Sequence, residues 1–371
     1  MRSTIAKISL NNLSHNVQTI KKIAPNSSIL AVVKANSYGH GIVSISLKLR
    51  QLGIDFLGVA YPEEGAVIRD SGDTRAIVVI VPPPDDDAKL ICDYRLQSVT
   101  SSIEFLKALS FYSRKAKIVS KVHLFINTGM NRDGIYPDES LYFLTVVKDL
   151  PNIKIVGLCT HFAKTTDDLE FAHIQLNRFN DLINKLKEKN YNFQYIHTAN
   201  SGAIANLPES HFNLIRPGMA LYGLPPAPNM KEYADLAPVL ELHSRVASVR
   251  DIKKGDTVGY DLEYISDADR RIVTIPIGYG DGFFKPLTNK AECLINGKKY
   301  FNVGSICMDE CMINVENDAI HVDDEVVLIG KQGDLEITCF DIANKVGTIH
   351  YEVLTSLSHR VPRIYSDNGF E

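Results

Sequence analysis

The chain has 371 residues, 45% of them hydrophobic and 23% charged, with a formal net charge of −4 at pH 7. That length accommodates two domains, or one large barrel with an addition, and the balance is that of an ordinary globular protein. A slightly acidic chain gives no electrostatic case for binding nucleic acid or an anionic membrane surface.

In the sequence no apolar run reaches the ~18 residues needed to span a bilayer, and residues 1–17 lack the continuous apolar core of a signal peptide. The six cysteines are too scattered for a disulfide framework. Cys307 and Cys311 are close, but without a neighbouring Cys/His pair they read as free thiols rather than zinc ligands. The expected compartment is a reducing cytoplasm, with no metal.

The first two-thirds alternate short apolar runs with amphipathic segments. The runs are 29–33, 56–60, 77–81, 96–99, 122–126, 153–159, 193–196 and 212–215, with helical patterns such as 13–23, 43–52, 141–148 and 167–189 between them. Eight repeats of strand then helix predict a parallel (β/α)8 barrel of the TIM type. Asn11 is expected to cap the first helix, and Pro82-Pro83-Pro84 to stop a strand. Pro225-Pro226-Ala227-Pro228 marks a junction. Beyond it the runs 239–249, 271–275, 292–295, 306–315 and 325–329 are β-like, and Asn296-Gly297 reads as a hairpin turn. One helix, 340–346, is opened by Thr338 and Asp341 as a capping box. The expected domains are a barrel over 1–235 and a mostly β domain over 236–371.

The first barrel strand hands over to Lys34, in Ala31-Val32-Val33-Lys34-Ala35-Asn36-Ser37-Tyr38-Gly39-His40-Gly41. Read alone, a strand-end lysine snorkels to solvent. Desolvated at the mouth of an apolar strand, it becomes a nucleophilic amine of the kind that pyridoxal phosphate requires. Active sites of such barrels gather at the C-terminal ends of the strands. There the sequence also places Arg132, His161, Asn200-Ser201-Gly202 and Arg216-Pro217-Gly218. Singly these read as an ion-pair arginine, a structural histidine and a helix cap. Together they form one polar mouth, with the loops after strands seven and eight as a phosphate cradle in reach of Tyr38.

From about residue 5 to 364 the chain resembles the alanine racemases, which are fold-type III pyridoxal-phosphate enzymes. The resemblance is carried by residues 31–41, Gly129-Met130-Asn131-Arg132, Ile215-Arg216-Pro217-Gly218, Thr257-Val258-Gly259-Tyr260, Pro276-Ile277-Gly278-Tyr279-Gly280-Asp281-Gly282, Ile306-Cys307-Met308-Asp309 and His359-Arg360-Val361-Pro362-Arg363. It implies a barrel plus a C-terminal β domain, with residues 1–10 packing on the latter. It implies pyridoxal 5'-phosphate on Lys34. Tyr38, His161, Asn200, Ser201, Arg216, Gly218, Met219 and Tyr351 would be around the cofactor. Arg132 and the Met308 amide would hold the substrate carboxylate.

The resemblance also implies two bases, Lys34 acting on the D-enantiomer and Tyr260 on the L-enantiomer. A free phenol is a poor base at neutral pH, and the resemblance places Tyr260 near His161, and His161 near Arg216. Tyr279 would line an entrance corridor, and Asp309 would support it. Tyr260 and Met308 would come from a partner subunit in a head-to-tail homodimer with shared sites. The product would be D-alanine for peptidoglycan. Many relatives carry a carbamylated lysine where this chain has Phe125, so Asn127 or a bound anion such as chloride is expected to orient Arg132 instead. The alternatives are a broad-specificity or serine racemase, or a basic amino-acid decarboxylase, of the same fold, and a non-catalytic pyridoxal-phosphate carrier.

Overall fold

The computed structural model describes residues 2–228 and 230–370. They form two compact units. The first takes Asn12–Ser37 and Ile42–Ala237; the second takes the described residues of Met1–Asn11, Tyr38–Gly41 and Pro238–Glu371.

Strand β1 (Ile5–Ser9) belongs to the second unit. The first unit carries β2 (Ser28–Val32), β3 (Phe56–Val59), β4 (Ala76–Val79), β5 (Gln97–Thr100), β6 (Ser120–Phe125), β7 (Ile153–Cys159), β8 (Tyr195–His197) and β9 (Leu214–Ile215). All eight are parallel, in the order β8-β7-β6-β5-β4-β3-β2-β9. The circle closes beyond β8 and β9, where Asn200 bridges Arg216 and the Arg216 amide donates to the Ala199 carbonyl at 2.9 Å. This is the predicted barrel. Its strands are buried nearly throughout, which is why they read as continuous apolar runs rather than alternating ones.

Leu10–Ile23 buries Leu13, Asn16, Val17 and Ile20 along one face. Asn16 uses its amide as a backbone substitute, donating to the Leu221 and Ala237 carbonyls and accepting from the Ala237 amide. The helix begins at Leu10, so Asn11 is not its cap: β1 runs straight into the helix, and Asn11 lies in its first turn.

The second unit is a ten-stranded sheet. Its other strands are β10 (Leu240–Arg245), β11 (Ser248–Ile252), β12 (Arg270–Ile275), β13 (Glu292–Ile295), β14 (Lys298–Asn302), β15 (Cys311–Asn314), β16 (Glu325–Gln332), β17 (Leu335–Ile337) and β18 (Arg363–Ser366). The order is β11-β12-β15-β14-β13-β16-β10-β1-β18, with β17 on β16. Asn296 and Gly297 form the expected two-residue turn, both at positive φ, between β13 and β14. The run 239–249 is two strands, because Val246 and Ala247 leave the first ladder to bond Asp324 and Thr274. Only Cys311–Asn314 of the run 306–315 is strand. The preceding residues are drawn into a loop, where the Tyr279 and Gly280 amides donate to the Cys307 and Met308 carbonyls. Thr338 and Asp341 cap Cys339–Val346 reciprocally, as expected, and a second helix, His350–Thr355, follows.

Candidate active site

At the end of β2 the backbone does something the sequence does not announce. Ala35, Asn36 and Ser37 all sit in the left-handed region, at φ 51, 53 and 54. Each such non-glycine residue costs on the order of 1–2 kcal/mol, a strain typical of functional sites. Compensating bonds hold the turn. Ser37 N donates to the Val33 carbonyl at 2.9 Å, Ile42 N to Asn36 Oδ1 at 2.9 Å, and Ala35 N to Glu64 Oε1 at 2.6 Å. Glu64 Oε2 also accepts from Ala60 N at 2.7 Å. Glu64 thus pins the turn that carries Lys34, a role that sequence reading missed. Its one signal was its place in the first turn after Pro62, where a carboxylate favours exposed amides.

Lys34 begins this turn. Burial lowers its pKa from the usual lysine value, the Arg132 guanidinium lowers it further, and Glu64 partly opposes both. The amine is thereby shifted toward the neutral, nucleophilic form.

Arg216 is 7% exposed and makes five hydrogen bonds. Its terminal nitrogens donate to the carbonyls of His197 (2.7 Å), Thr160 (2.8 Å) and Thr198 (3.0 Å), and to Nδ1 of His197 (2.9 Å) and of His161 (3.2 Å). Its Nε has no partner among the described residues. A guanidinium only donates, so both imidazole Nδ1 atoms must accept. The His197 proton therefore sits on Nε2 and passes to His123 Nδ1 at 2.9 Å. The His123 proton on Nε2 passes to Gln97 Oε1 at 3.0 Å. One cation at the end of β9 fixes the tautomers of three histidines. Gly157 makes room for this column, since a Cβ there would lie 2.0 Å from His123 Nδ1.

Burial, with Arg216 adding repulsion, pushes His161 and His123 down to about 3, and His197 falls well below its ordinary value for the same reasons. His123 and His197 are fully buried and neutral, whereas both are charged in an unfolded chain below about pH 6.5. Their contribution to stability is complete above that pH and declines as pH falls toward the folded value, by about 1.4 kcal/mol per pH unit for each. Urea unfolding at pH 7.5, 6 and 5 should show the midpoint falling steadily below pH 6.5. A flat midpoint across that range would rule out neutral burial.

After β8, Asn200 caps the helix Ser201–Asn206, its Oδ1 accepting from Ala203 N at 3.0 Å and from Thr165 at 3.1 Å. Asn200 is thus occupied in holding the loop. Ser201 Oγ accepts from the Gly218 amide at 2.9 Å and the Ala220 amide at 3.4 Å, and its proton has no acceptor among the described residues. Met219 is buried beside Gly218. Arg132 is half exposed, and its Nε donates to Asp133 at 3.1 Å. Asn127 does not take the expected part in orienting Arg132. Its side-chain bonds go to Gly129 and Asn131.

The remaining candidates lie in the second unit. Tyr38 and Tyr351 have ring centroids 6.2 Å apart, and burial pushes the Tyr351 phenol up to about 12. Asp281 is fully buried, paired by both oxygens to Arg2 and accepting from Gly278 N at 3.1 Å. It fixes the loop that presents Tyr279. Arg360 ties Asp281 to Asp309. Tyr260, Met308 and Tyr279 are 69%, 52% and 44% exposed. Tyr260 follows Gly259, which needs its φ of +79.

Two family models match: "Alanine racemase, N-terminal domain" over residues 8–226 and "Alanine racemase, C-terminal domain" over 239–365. The chain belongs to the alanine racemase family. An alanine racemase of Carboxydothermus hydrogenoformans is 39% identical over 98% of this chain and 100% of its own length. One from Clostridium novyi is 37% identical over 100% of this chain and 97% of its own length. The solved alanine racemase of Bacillus anthracis with bound L-Ala-P has a TM-score of 0.94 and 33% identity, covering 100% of this chain and 96% of that one. That of Clostridium difficile in complex with cycloserine has a TM-score of 0.91 and 31% identity, covering 98% and 96%. The chain is accordingly an isomerase that belongs with the alanine racemases. The match to both domain models separates it from single-barrel carriers. No helix among the described residues is long and apolar enough to cross a membrane.

Proposed function

We propose that the chain interconverts L- and D-alanine with pyridoxal 5'-phosphate, using Lys34 and Tyr260 as bases on opposite faces of the substrate. The observation that carries this is Lys34 itself, an amine with its pKa lowered, on a strained turn at the end of a barrel strand. The barrel residues fit the cofactor. Arg216 Nε is an open donor suited to a ring nitrogen, and Ser201 keeps a buried hydroxyl proton available to a phosphate. When bound, the cofactor supplies a conjugated ring that withdraws electrons from the substrate Cα.

The protein does the rest. Lys34 would hold the cofactor through its amine and would move a proton at the substrate Cα on the D side. Arg216 cannot release its proton, so it would hold the cofactor only as a hydrogen-bond donor, which would moderate electron withdrawal and disfavour side reactions such as transamination. His161, Gly218, Met219, Tyr38 and Tyr351 would hold the cofactor, and Asn200 shapes the loop that carries Ser201. Arg132 and the Met308 amide bind the substrate carboxylate. Tyr260 handles the proton on the L side.

Tyr260, Tyr279 and Met308 are large, functional by this reading, and exposed on their own unit. That supports a head-to-tail homodimer in which they complete a neighbour's site, with Asp309 steadying the approach. Six free cysteines fit a reducing cytoplasm, and the D-alanine formed would supply peptidoglycan. The test is direct. Protein incubated with pyridoxal phosphate should turn yellow, racemise L-alanine, and carry a borohydride-fixed label on Lys34. Colourless protein that gains no activity would overturn the reading. Racemisation of L-serine at a similar rate, or CO2 release from L-lysine, would redirect it.

A further inference from the structure

We propose that Asp133 is a positioning residue that presets the Arg132 guanidinium to receive the substrate carboxylate. This rests on the racemase reading above and adds a residue to it. Arg132 Nε donates to Asp133 Oδ2 at 3.1 Å, fixing one edge of the planar group. The two terminal nitrogens have no hydrogen-bond partner among the described residues. The open end is therefore the fork that accepts a carboxylate through two parallel bonds. An arginine held by one edge loses less rotamer freedom when its ligand arrives.

The backbone beneath Arg132 is fixed independently. Asn127 Oδ1 accepts from Gly129 N and Asn131 N, both at 3.1 Å, and its Nδ2 donates to Asn131 Oδ1 at 3.0 Å. The loop is closed by Asn127 N to the Ile135 carbonyl and Ile135 N to the Phe125 carbonyl, both at 2.9 Å. Gly134 has φ +105, and a Cβ there would lie 2.7 Å from Asn127 N. Asn127 is thus spent on the loop, and Phe125 is a buried hydrocarbon with no charge or acceptor to pair with the guanidinium. Asp133 is the one carboxylate bonded to Arg132 among the described residues. The Arg132 charge lowers the pKa of both Lys34 and His161, so the guanidinium lies within electrostatic reach of the reacting amine.

An exposed ion pair contributes little to folding, so the consequence of losing it falls on binding. In Asp133→Asn, KM for both alanine enantiomers should rise about fivefold while kcat changes less than twofold. Inhibition by propionate, which offers the carboxylate without the amine, should weaken by the same factor. Asp133→Glu should recover most of the loss. A purely structural role would instead lower the unfolding temperature and kcat together. KM and propionate inhibition within twofold of the wild type in Asp133→Asn would overturn the proposal. A wild-type protein that does not racemise alanine would overturn the functional reading. Weaker propionate binding to Asp133→Asn, measured by calorimetry, would still support the positioning role.

Discussion

Lys34→Ala is expected to lower racemisation in both directions by at least about 10⁴-fold, because in the proposed mechanism one side chain would serve as covalent anchor and as base. Removing a positioned base alone costs about 10²–10⁴, and loss of the anchor compounds it. The turn should survive, since Ala35 N to Glu64 and Asn36 to Ile42 do not involve the Lys34 side chain. Circular dichroism should therefore match the wild type. Chiral chromatography of alanine incubated with each protein measures the rates, and borohydride should fix no label at position 34. A small exogenous amine such as methylamine should restore a measurable fraction of turnover, because it can supply the missing nitrogen. Wild-type rates in Lys34→Ala would end the proposed mechanism.

Tyr260→Phe tests the other face. It removes one oxygen from a side chain that is 69% exposed on its own unit, so folding and cofactor attachment should be untouched and the visible band unchanged. Proton removal from L-alanine should fall about 10²–10⁴-fold. The informative readout is isotopic. In heavy water, the D-enantiomer should still exchange its Cα proton, because Lys34 remains, but it should do so without inverting. Equal loss of exchange for both enantiomers would mean that one residue serves both faces. Mixing Lys34→Ala with Tyr260→Phe should restore activity in hybrid dimers if each site draws its two bases from different copies.

The barrel was legible because its strands are buried on both sides and carry uninterrupted apolar runs. Each of the eight lies within two or three residues of its expected place. The second unit was less so. Strand β11 is largely exposed, and β14, β17 and β18 alternate too briefly to stand out from turns. Strand-end position nominated Lys34, Arg132, His161, Ser201 and Arg216 as candidates, because a barrel's topology sends those ends to one rim. Glu64, Gln97, His123 and His197 escaped notice. Glu64 reaches the Ala35 amide 29 residues away, and the histidine column exists only once the strands are wound. The left-handed turn after Lys34 was equally hidden, since Ala35 and Ser37 are not residues that advertise positive φ.

Gly157 shows how one such hidden arrangement constrains change. The space above its Cα is filled by the His123 ring. Any side chain introduced at 157 must first evict that imidazole, and a smaller residue at 123 would leave a hole that a methyl at 157 could fill. The two sites are therefore mutationally coupled. Neither should drift alone, and a lineage that alters one is expected to carry a compensating exchange at the other.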